Sequence, residues 1–268
     1  MESETFRALA VRAAREAGTM LKENLGRAVK FERKSSAIDL VTEFDHRAEE
    51  FIIETIRDHY PAHGILTEER PPQQTSATHK WIIDPLDGTI NYSKGYPLFG
   101  VSIALEVDGK VMLGVVYIPM LEEWFIAERG QGVTRNGKPI RVSETDQLID
   151  SLLATGFPYK MEGLRRNLAY FASFAQRARG IRRDGVAALD LCYVAMGRFD
   201  GFWEPALNPW DVAAGALIIE EAGGTLTGFD GEPLSIYGDT IVASNGKIHE
   251  VMIEVIRSTP SPQRSEGS

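Results

Sequence analysis

The segment Trp81–Asn91, with the sequence WIIDPLDGTIN, constrains the fold of this chain more than any other. A short apolar run leads into Asp84, and a second carboxylate, Asp87, follows three residues later. Two carboxylates this close repel each other unless a cation lies between them. Gly88 and Thr89 are typical of a turn that opens a helix, where backbone N–H groups bind anions. The segment therefore predicts a strand, a turn and a helix that bring oxygen ligands and amide donors together.

Oxygen ligands of this kind are the ones that Mg²⁺ prefers in proteins. Pro85 has no N–H group, and the carbonyl of Leu86 can turn inward as a further ligand. The alternative for two neighbouring acids is an Asx-type turn whose side chains are solvated. The rest of the sequence favours the metal site, because other acids occur at comparable places in predicted strands and helices.

Three further acidic segments follow this pattern. GILTEE ends in Glu68 and Glu69, and only one of them can point into a site because adjacent strand residues face opposite ways. Asp211 lies in the first turn of a predicted helix, where it either acts as an N-cap or reaches past the helix end to a metal. Asp45 begins a helix in DLVTEFD. Acids at strand ends and helix starts, together with a Gly-Thr turn, are typical of two-metal phosphoryl transfer.

Hydrophobic periodicity divides the chain into two halves and a tail. Residues 1–145 are predicted to carry a helix pair, a largely antiparallel sheet and most of the metal ligands. Residues 146–258 are predicted to form an α/β half with Asp211 and the substrate pocket, and residues 259–268 a disordered tail. The predicted helices are Phe6–Leu25, Asp45–His59, Leu164–Ala178, Ala187–Met196, Val212–Ala222 and Lys247–Arg257. The predicted strands are Gly64–Glu68, Trp81–Asp84, Val101–Val107, Val111–Tyr117, Glu123–Ala127, Pro139–Val142, Ser151–Thr155, Gly201–Trp203 and Thr240–Ser244.

Composition and charge argue against several classes of protein. With 29 Lys and Arg against 38 Asp and Glu, the formal net charge is −9, so we expect no direct nucleic-acid binding. The single cysteine, Cys192, cannot form an internal disulfide and fits a reducing compartment. The start, MESETFRALA, has two Glu where a secretory signal needs basic residues, and no apolar stretch is long enough to cross a bilayer. We therefore expect a cytoplasmic protein that does not enter the membrane.

Five motifs follow one another along the chain; they are KSSAIDLVTEFD, GILTEE, WIIDPLDGTINY, GQG…NGKPI and WDVAAGALIIEEAGG. In these motifs and in their order, the chain resembles the inositol monophosphatase family of Mg²⁺-dependent, lithium-sensitive phosphatases, and its bacterial members in particular. Two further segments, ATGFPY and AALDLCYVAMGRFDGFWE, look closer to bacterial members than to animal ones. With the strand pattern, the resemblance implies an α/β fold (α+β in part), a layered α-β-α-β-α sandwich of the inositol monophosphatase or sugar phosphatase type. It also implies a homodimer.

The resemblance further implies how the metals are held. Glu68, Asp84 and the carbonyl of Leu86 hold the first Mg²⁺ ion. Asp84, Asp87 and Asp211 hold the second, and a third, weaker ion lies near Glu68. The implied cofactor is therefore two Mg²⁺ ions per site, with the third as an addition.

Catalytic roles are implied for three residues, and substrate contacts for a larger set. Glu68 and Thr89, the latter oriented by Asp45, position a water molecule for in-line attack on phosphorus. Phosphate rests on the turn after Asp87, and Glu204 hydrogen-bonds the inositol hydroxyls. The implied substrate contacts are Asp87, Gly88, Thr89, Arg182, Gly185, Val186, Ala187, Glu204 and Asp211. Lys34 falls in a mobile loop that closes over the metals.

The implied activity is hydrolysis of inositol-1-phosphate to inositol and phosphate. Other phosphorylated alcohols stay open as substrates, namely fructose-1,6-bisphosphate, 3′-phosphoadenosine-5′-phosphate and histidinol phosphate. A bisphosphate would need a second basic pocket. The arginines at positions 165, 166, 182 and 183 could form one, but the default interpretation is that they are solvated charges on a helix and a loop. The competing class of function is a regulatory protein associated with RNA polymerase, because some bacterial relatives engage the transcription machinery.

Overall fold

A computed structural model describes residues 5–27, 31–33, 40–73 and 77–260 of the chain. Lys34 and residues 261–268 of the predicted tail lie outside the described residues. The helices are α1 (Phe6–Asn24), α2 (Glu43–His59), α3 (Thr89–Ser93), α4 (Met161–Ala175), α5 (Ala187–Ala195), α6 (Pro209–Glu221) and α7 (His249–Ser258). In the described part of the chain, none of them combines the length and the hydrophobicity that crossing a bilayer requires.

The strands form two main sheets and a small separate ribbon. They are β1 (Phe31–Arg33), β2 (Leu40–Thr42), β3 (Gly64–Thr67), β4 (His79–Asp87), β5 (Gly100–Val107), β6 (Lys110–Ile118), β7 (Glu123–Glu128), β8 (Gly132–Arg135), β9 (Lys138–Pro139), β10 (Leu152–Thr155), β11 (Gly180–Arg182), β12 (Gly201–Pro205), β13 (Thr225–Thr227) and β14 (Thr240–Ser244). The seven-stranded sheet has the order β3-β4-β5-β6-β7-β8-β9 and is antiparallel except between β3 and β4. The five-stranded sheet has the order β11-β10-β12-β14-β13 and is mixed.

Strands of both sheets pack on two sides, because successive side chains of a strand face opposite ways. In β4, Trp81 and Ile83 pack in a core with α1 and α2, while Ile82 packs in a central core with α5 and α6. In β12, Phe202 belongs to the central core and Trp203 to a third core with α4 and α7. The layers are thus α1/α2, seven-stranded sheet, α5/α6, five-stranded sheet and α4/α7. This order confirms the predicted α-β-α-β-α sandwich.

The long predicted elements are confirmed with small changes at their ends. Helix α2 begins two residues before its predicted start because Thr42 is its N-cap. The Thr42 hydroxyl accepts from the backbone N–H of Asp45, and the Thr42 backbone N–H donates to Asp45 Oδ2 at 2.8 Å, which makes a capping box. The predicted hairpin between β5 and β6 turns at Asp108 and Gly109, both of which have positive φ.

The predicted strand Pro139–Val142 is wrong. Only Lys138 and Pro139 pair with β8. Hydrophobic periodicity did not predict strand β8 either. Strands β1, β2, β11 and β13 were missed as well, and each of them has three residues. A run this short contains too few side chains to show an alternating pattern, so the sequence carries no signal for it.

The division into two domains at residues 145 and 146 stays a prediction. The seven-stranded sheet ends at Pro139 and the five-stranded sheet begins at Leu152, so the two sheets lie on either side of that boundary. The central core nevertheless joins side chains of both sheets with α5 and α6. The two halves therefore share apolar surface, and the site described next lies where they meet.

Candidate active site

Strand β4 brings both acids of the WIIDPLDGTIN segment into the interior. It runs to Asp87, three residues beyond the predicted end, and its register with β5 shifts between Asp84 and Asp87. In a regular strand, residues three apart face opposite sides of the sheet. An irregularity of this kind re-aims side chains, so both carboxylates reach the same cavity. Asp84 and Asp87 are only 2% and 8% exposed.

The turn after β4 depends on the conformation of Gly88, which has a φ of 97°. A Cβ atom at this position would be strained and would also lie 3.0 Å from Val186 Cγ2. The chain then enters α3, where the Thr89 hydroxyl lies 2.9 Å from Asp45 Oδ1 and 3.2 Å from the carbonyl oxygen of Leu86. The structure therefore brings Asp45 and Thr89 together, although they are 44 residues apart.

Glu68 reaches the cavity from the end of β3, and a buried acid fixes the chain around it. Glu49 of α2 is fully buried. It accepts hydrogen bonds from the Thr67 hydroxyl at 2.8 Å, the Glu69 backbone N–H at 3.0 Å and Arg70 Nε at 2.9 Å. Residues on both sides of Glu68 are thus held by one carboxylate. Sequence analysis missed Glu49, whose signal is an acid on the buried face of an amphipathic helix.

Asp211 enters the cavity from the first turn of α6. The N-cap of α6 is Asn208, so the alternative in which Asp211 itself is the N-cap is wrong. Asp211 is the third residue of the helix and completes a capping box, in which the Asn208 backbone N–H donates to Asp211 Oδ2 at 2.7 Å. One carboxylate oxygen is therefore used by the cap while the side chain also lines the cavity.

A single cavity gathers most of the residues predicted for the site. Its walls include Glu68, Asp84, Leu86, Asp87, Gly88, Thr89, Gly185, Val186, Ala187, Glu204 and Asp211. Asp45 lies behind Thr89 through the hydrogen bond given above. These residues come from both halves of the sequence, so the cavity exists only when the two sheets are packed on their shared core.

Burial and mutual repulsion raise the pKa of the acids in this cavity. The pKa of Asp84 is raised by burial and then by the charges of Glu68, Asp87 and Asp211. Burial raises the pKa of Asp87 to about 7, although a hydrogen bond from the Ala188 backbone opposes the shift. Burial likewise raises the pKa of Asp211. Each of these shifts favours the neutral acid, because the ionised carboxylates repel each other and are poorly solvated. A cation bound in the cavity would offset both effects, so we expect the ionised carboxylates to bind it tightly.

The donor set fits a hard divalent cation by its chemistry, because it consists of carboxylate and carbonyl oxygens. In their present positions, no three His, Cys, Asp or Glu side chains among the described residues form a group that could hold an ion. Asp84, Asp87 and Asp211 instead each accept a hydrogen bond from a backbone N–H group, at 3.0, 2.7 and 2.7 Å. The acids thus share one cavity, and each is oriented by the backbone.

Comparison with known proteins gives the same assignment as the motifs. The model of the inositol monophosphatase family matches residues 2–261. The chain belongs to the inositol monophosphatase family. It is 42% identical to the inositol-1-monophosphatase of Synechocystis over 96% of this chain and 90% of that protein. It is 44% identical to the Nus factor SuhB of Escherichia coli over 93% of this chain and 94% of that protein.

Solved structures of similar proteins share the fold of this chain. The extragenic suppressor protein suhB of Bartonella henselae has a TM-score of 0.90 with this chain at 39% identity. The alignment covers 94% of this chain and 98% of that one. The family is generally metal-dependent, which agrees with an oxygen-rich donor set in the cavity.

In this inositol monophosphatase family member, one predicted contact lies outside the cavity wall. Arg182 is exposed and donates to the carbonyl oxygen of Ile181, and it is not among the cavity-lining residues. Arg183 lines the cavity instead. Adjacent residues of an extended segment point to opposite sides, so a shift of one position decides which arginine faces the site. The prediction for Lys34 concerns a residue outside the described part of the chain.

Residues 156–159 and Asp190 also line the cavity and were not predicted for the site. Residues 156–159 belong to the ATGFPY segment, which carried only the bacterial resemblance. Asp190 is an acid within the otherwise uncharged helix α5, AALDLCYVA. An ionisable residue on a buried helix is rare without a partner, and this was the signal in the sequence that could have identified it.

Proposed function

We propose that this chain is a phosphomonoesterase that hydrolyses inositol-1-phosphate to inositol and phosphate with Mg²⁺ as cofactor. The observation that carries the proposal is the single cavity in which Glu68, Asp84, Asp87 and Asp211 meet the turn at Gly88. Membership of the inositol monophosphatase family supports phosphatase activity on a phosphorylated polyol.

The residues of the cavity suggest where two Mg²⁺ ions bind. Glu68, Asp84 and the carbonyl of Leu86 would hold one ion; Asp84, Asp87 and Asp211 would hold the other. A third, weaker ion would lie near Glu68. When bound, such ions supply positive charge that lowers the pKa of a water molecule and neutralises the leaving alkoxide.

Thr89 and Glu68 are proposed to orient the attacking water. The Thr89 hydroxyl has only one proton, and Asp45 Oδ1 at 2.9 Å is the better placed acceptor for it. With that proton committed, the Thr89 oxygen offers its lone pairs to a water molecule. Glu68 lines the same cavity and offers a second acceptor. Two acceptors fix the orientation of the water molecule, and this orientation aligns its oxygen with phosphorus for in-line attack.

The dimensions of the cavity favour a small alcohol. Its volume is about 160 Å³, below the roughly 300–1,000 Å³ of cavities that enclose drug-sized ligands. Inositol-1-phosphate suits this space better than 3′-phosphoadenosine-5′-phosphate does. The wall also includes Glu204, whose carboxylate can accept hydrogen bonds from ring hydroxyls. The backbone N–H of Gly156 donates to Glu204, and a Cβ atom at Gly156 would collide with that carboxylate.

Phosphate release from a substrate panel tests this proposal. The panel contains inositol-1-phosphate, fructose-1,6-bisphosphate, 3′-phosphoadenosine-5′-phosphate, histidinol phosphate and p-nitrophenyl phosphate, each with Mg²⁺ and with or without Li⁺. We expect the highest kcat/KM on inositol-1-phosphate, with inhibition by Li⁺. A higher kcat/KM on another member of the panel would make that compound the proposed substrate in place of inositol-1-phosphate. If no phosphate is released from any of them, the proposed phosphatase activity is rejected.

Glu204→Gln is expected to weaken the use of inositol-1-phosphate more than that of p-nitrophenyl phosphate, which has no ring hydroxyls. Glutamine keeps an acceptor oxygen but loses the charge. A hydrogen bond contributes about 1.5–3 kcal/mol to a charged group and about 0.5–1.5 kcal/mol to a neutral one, so kcat/KM should fall by about 10-fold on the inositol substrate. The measurement is kcat/KM on both substrates with the same preparation. Equal losses on the two substrates would show that Glu204 does not contact the polyol.

A homodimeric state and a cytoplasmic location complete the proposal. Family membership supports the dimer, and the single cysteine, which fits a reducing compartment, supports the location. Light scattering on the purified protein should give about twice the chain mass of 29.7 kDa. A mass near that of one chain would reject the dimer.

A regulatory role beside RNA polymerase is the second candidate function. The observation that favours it is the name Nus factor SuhB, carried by relatives as similar as the Synechocystis phosphatase. Affinity capture of RNA polymerase by the purified chain would support it. Rescue of a deletion phenotype by Asp87→Asn would separate this role from catalysis.

A further inference from the structure

Asp190 is a buried acid in the wall of the candidate active site to which the proposed function gives no role. It lies in the first turn of α5 and is 1% exposed. The same turn carries Ala188, whose backbone N–H donates to Asp87 Oδ2 at 2.7 Å. Helix α5 therefore connects Asp190 rigidly to the turn that is proposed to bind phosphate.

The carboxyl group of Asp190 has an oxygen that the protein leaves unpaired. Among the described residues, its Oδ1 is one of three buried side-chain polar atoms without a hydrogen-bond partner. An unpaired buried oxygen is costly, and native structures tolerate one mainly where a ligand or water completes it. Because Asp190 also lines the cavity, the missing partner can come from a bound molecule.

The surroundings of Asp190 show which kind of partner is needed. The charged groups that act on it are Asp184, Glu204 and Asp87, all of which are acids. These side chains offer no cationic donor that could complete Oδ1. Burial and these charges raise the pKa of Asp190, so a neutral partner is favoured over an anion. A hydroxyl group fits, because it donates to a carboxylate and also accepts from a protonated carboxyl.

We infer that Asp190 is a specificity-determining residue whose Oδ1 hydrogen-bonds a hydroxyl of the polyol substrate. The inference rests on the proposed function and deepens it, because it assigns a second acid to the alcohol beside Glu204. Asp87 lies on the phosphate side of the cavity and Glu204 on the proposed polyol side, and both act on Asp190. The hydroxyl that Asp190 recognises is therefore one close to the phosphorylated carbon.

The test compares Asp190→Leu and Asp190→Asn on inositol-1-phosphate and p-nitrophenyl phosphate. Leucine has a similar branched shape but cannot form hydrogen bonds, so kcat/KM on inositol-1-phosphate should fall by about 10- to 100-fold. The loss on p-nitrophenyl phosphate should be several-fold smaller. Asparagine keeps an oxygen and adds an amide that can donate to Asp184, so it should recover most of the inositol activity. Asp200→Asn is the control, because Asp200 is a buried acid whose oxygens accept from Ser143 and Leu152.

The outcomes separate this inference from the proposed function. Equal losses on both substrates in Asp190→Leu, or no recovery in Asp190→Asn, would overturn the role of Asp190 while the wild-type activity stands. If the wild-type protein hydrolyses p-nitrophenyl phosphate but not inositol-1-phosphate, the proposed substrate fails and the inference fails with it. Should Asp190→Leu not fold, the ratio of the two activities in Asp190→Ser and Asp190→Ala decides, with serine expected to keep more inositol activity than alanine because its hydroxyl can still form a hydrogen bond.

Discussion

Asp87→Asn is expected to lower kcat by about three orders of magnitude while the protein stays folded. Asp87 is proposed to hold the second metal ion and to flank the phosphate, and an amide lacks the charge that both roles need. Electrostatic stabilisation by a metal is worth several kcal/mol, and each 1.36 kcal/mol is a factor of about ten in rate. The amide oxygen can still accept from Ala188, and the raised pKa of Asp87, about 7, shows that burial already penalises its charge. The melting temperature without metal should therefore not fall.

The control for Asp87→Asn is Asp150→Asn, the same change at an exposed position. Asp150 pairs with Arg179 on the surface, and exposed ion pairs contribute little to stability. We expect wild-type kcat for this variant. The measurements are steady-state kinetics on inositol-1-phosphate and thermal unfolding of both variants. A kcat for Asp87→Asn within a few-fold of the wild type would remove Asp87 from the metal-binding set.

Removal of divalent cations is expected to abolish phosphate release and to lower the melting temperature of the wild-type protein. A ligand at 100 times its Kd stabilises the native state by about 2.7 kcal/mol, which corresponds to roughly 5–10 °C for a chain of this length. The repulsion among Asp84, Asp87 and Asp211 is the physical reason, because bound cations cancel it. Differential scanning fluorimetry in EDTA and in Mg²⁺ measures the difference.

The stabilisation by Mg²⁺ should depend on pH. Since the folded-state pKa of Asp87 is raised to about 7, above its ordinary value of 3.8, the carboxyl is protonated at pH 5 in the metal-free protein. Without metal, this group makes stability fall as pH rises from about 4 to 7, because the folded state then binds more protons than the unfolded state. Mg²⁺ must displace those protons, so its effect on the melting temperature should be larger at pH 8 than at pH 5. In Asp211→Asn the effect should shrink at both values, and an unchanged shift would argue against these ligands.

Much of the candidate site was predictable from local sequence. WIIDPLDGTIN placed Asp84, Asp87 and the turn at Gly88 together because they occur within a few residues of each other. The amphipathic stripes of α1 and α2 predicted which faces are buried, since a helix with period 3.6 buries one side. In these cases the chemistry and the geometry belong to one segment, and no distant contact is needed to define them.

Other parts of the site were not predictable because they depend on contacts between distant segments. The register shift between Asp84 and Asp87 arises from pairing with β5, and it turns both acids to one side. Glu49 positions the chain around Glu68 only because α2 packs on the end of β3. The choice of Arg183 over Arg182 follows from the path of the chain after β11. No local pattern distinguishes these outcomes.

The sequence by itself determined most of the longer helices and strands and the acids available for catalysis, whereas the order of the layers followed from the resemblance to the family. Hydrophobic period and turn residues act over a few positions, so a single segment suffices to express them. Only the tertiary structure decided which acids share a cavity and which oxygen of Asp190 lacks a partner. Both depend on side chains from the two sheets and on α5 and α6 between them. The acids lose their contact with water, without gaining a compensating charge, only when these layers pack together.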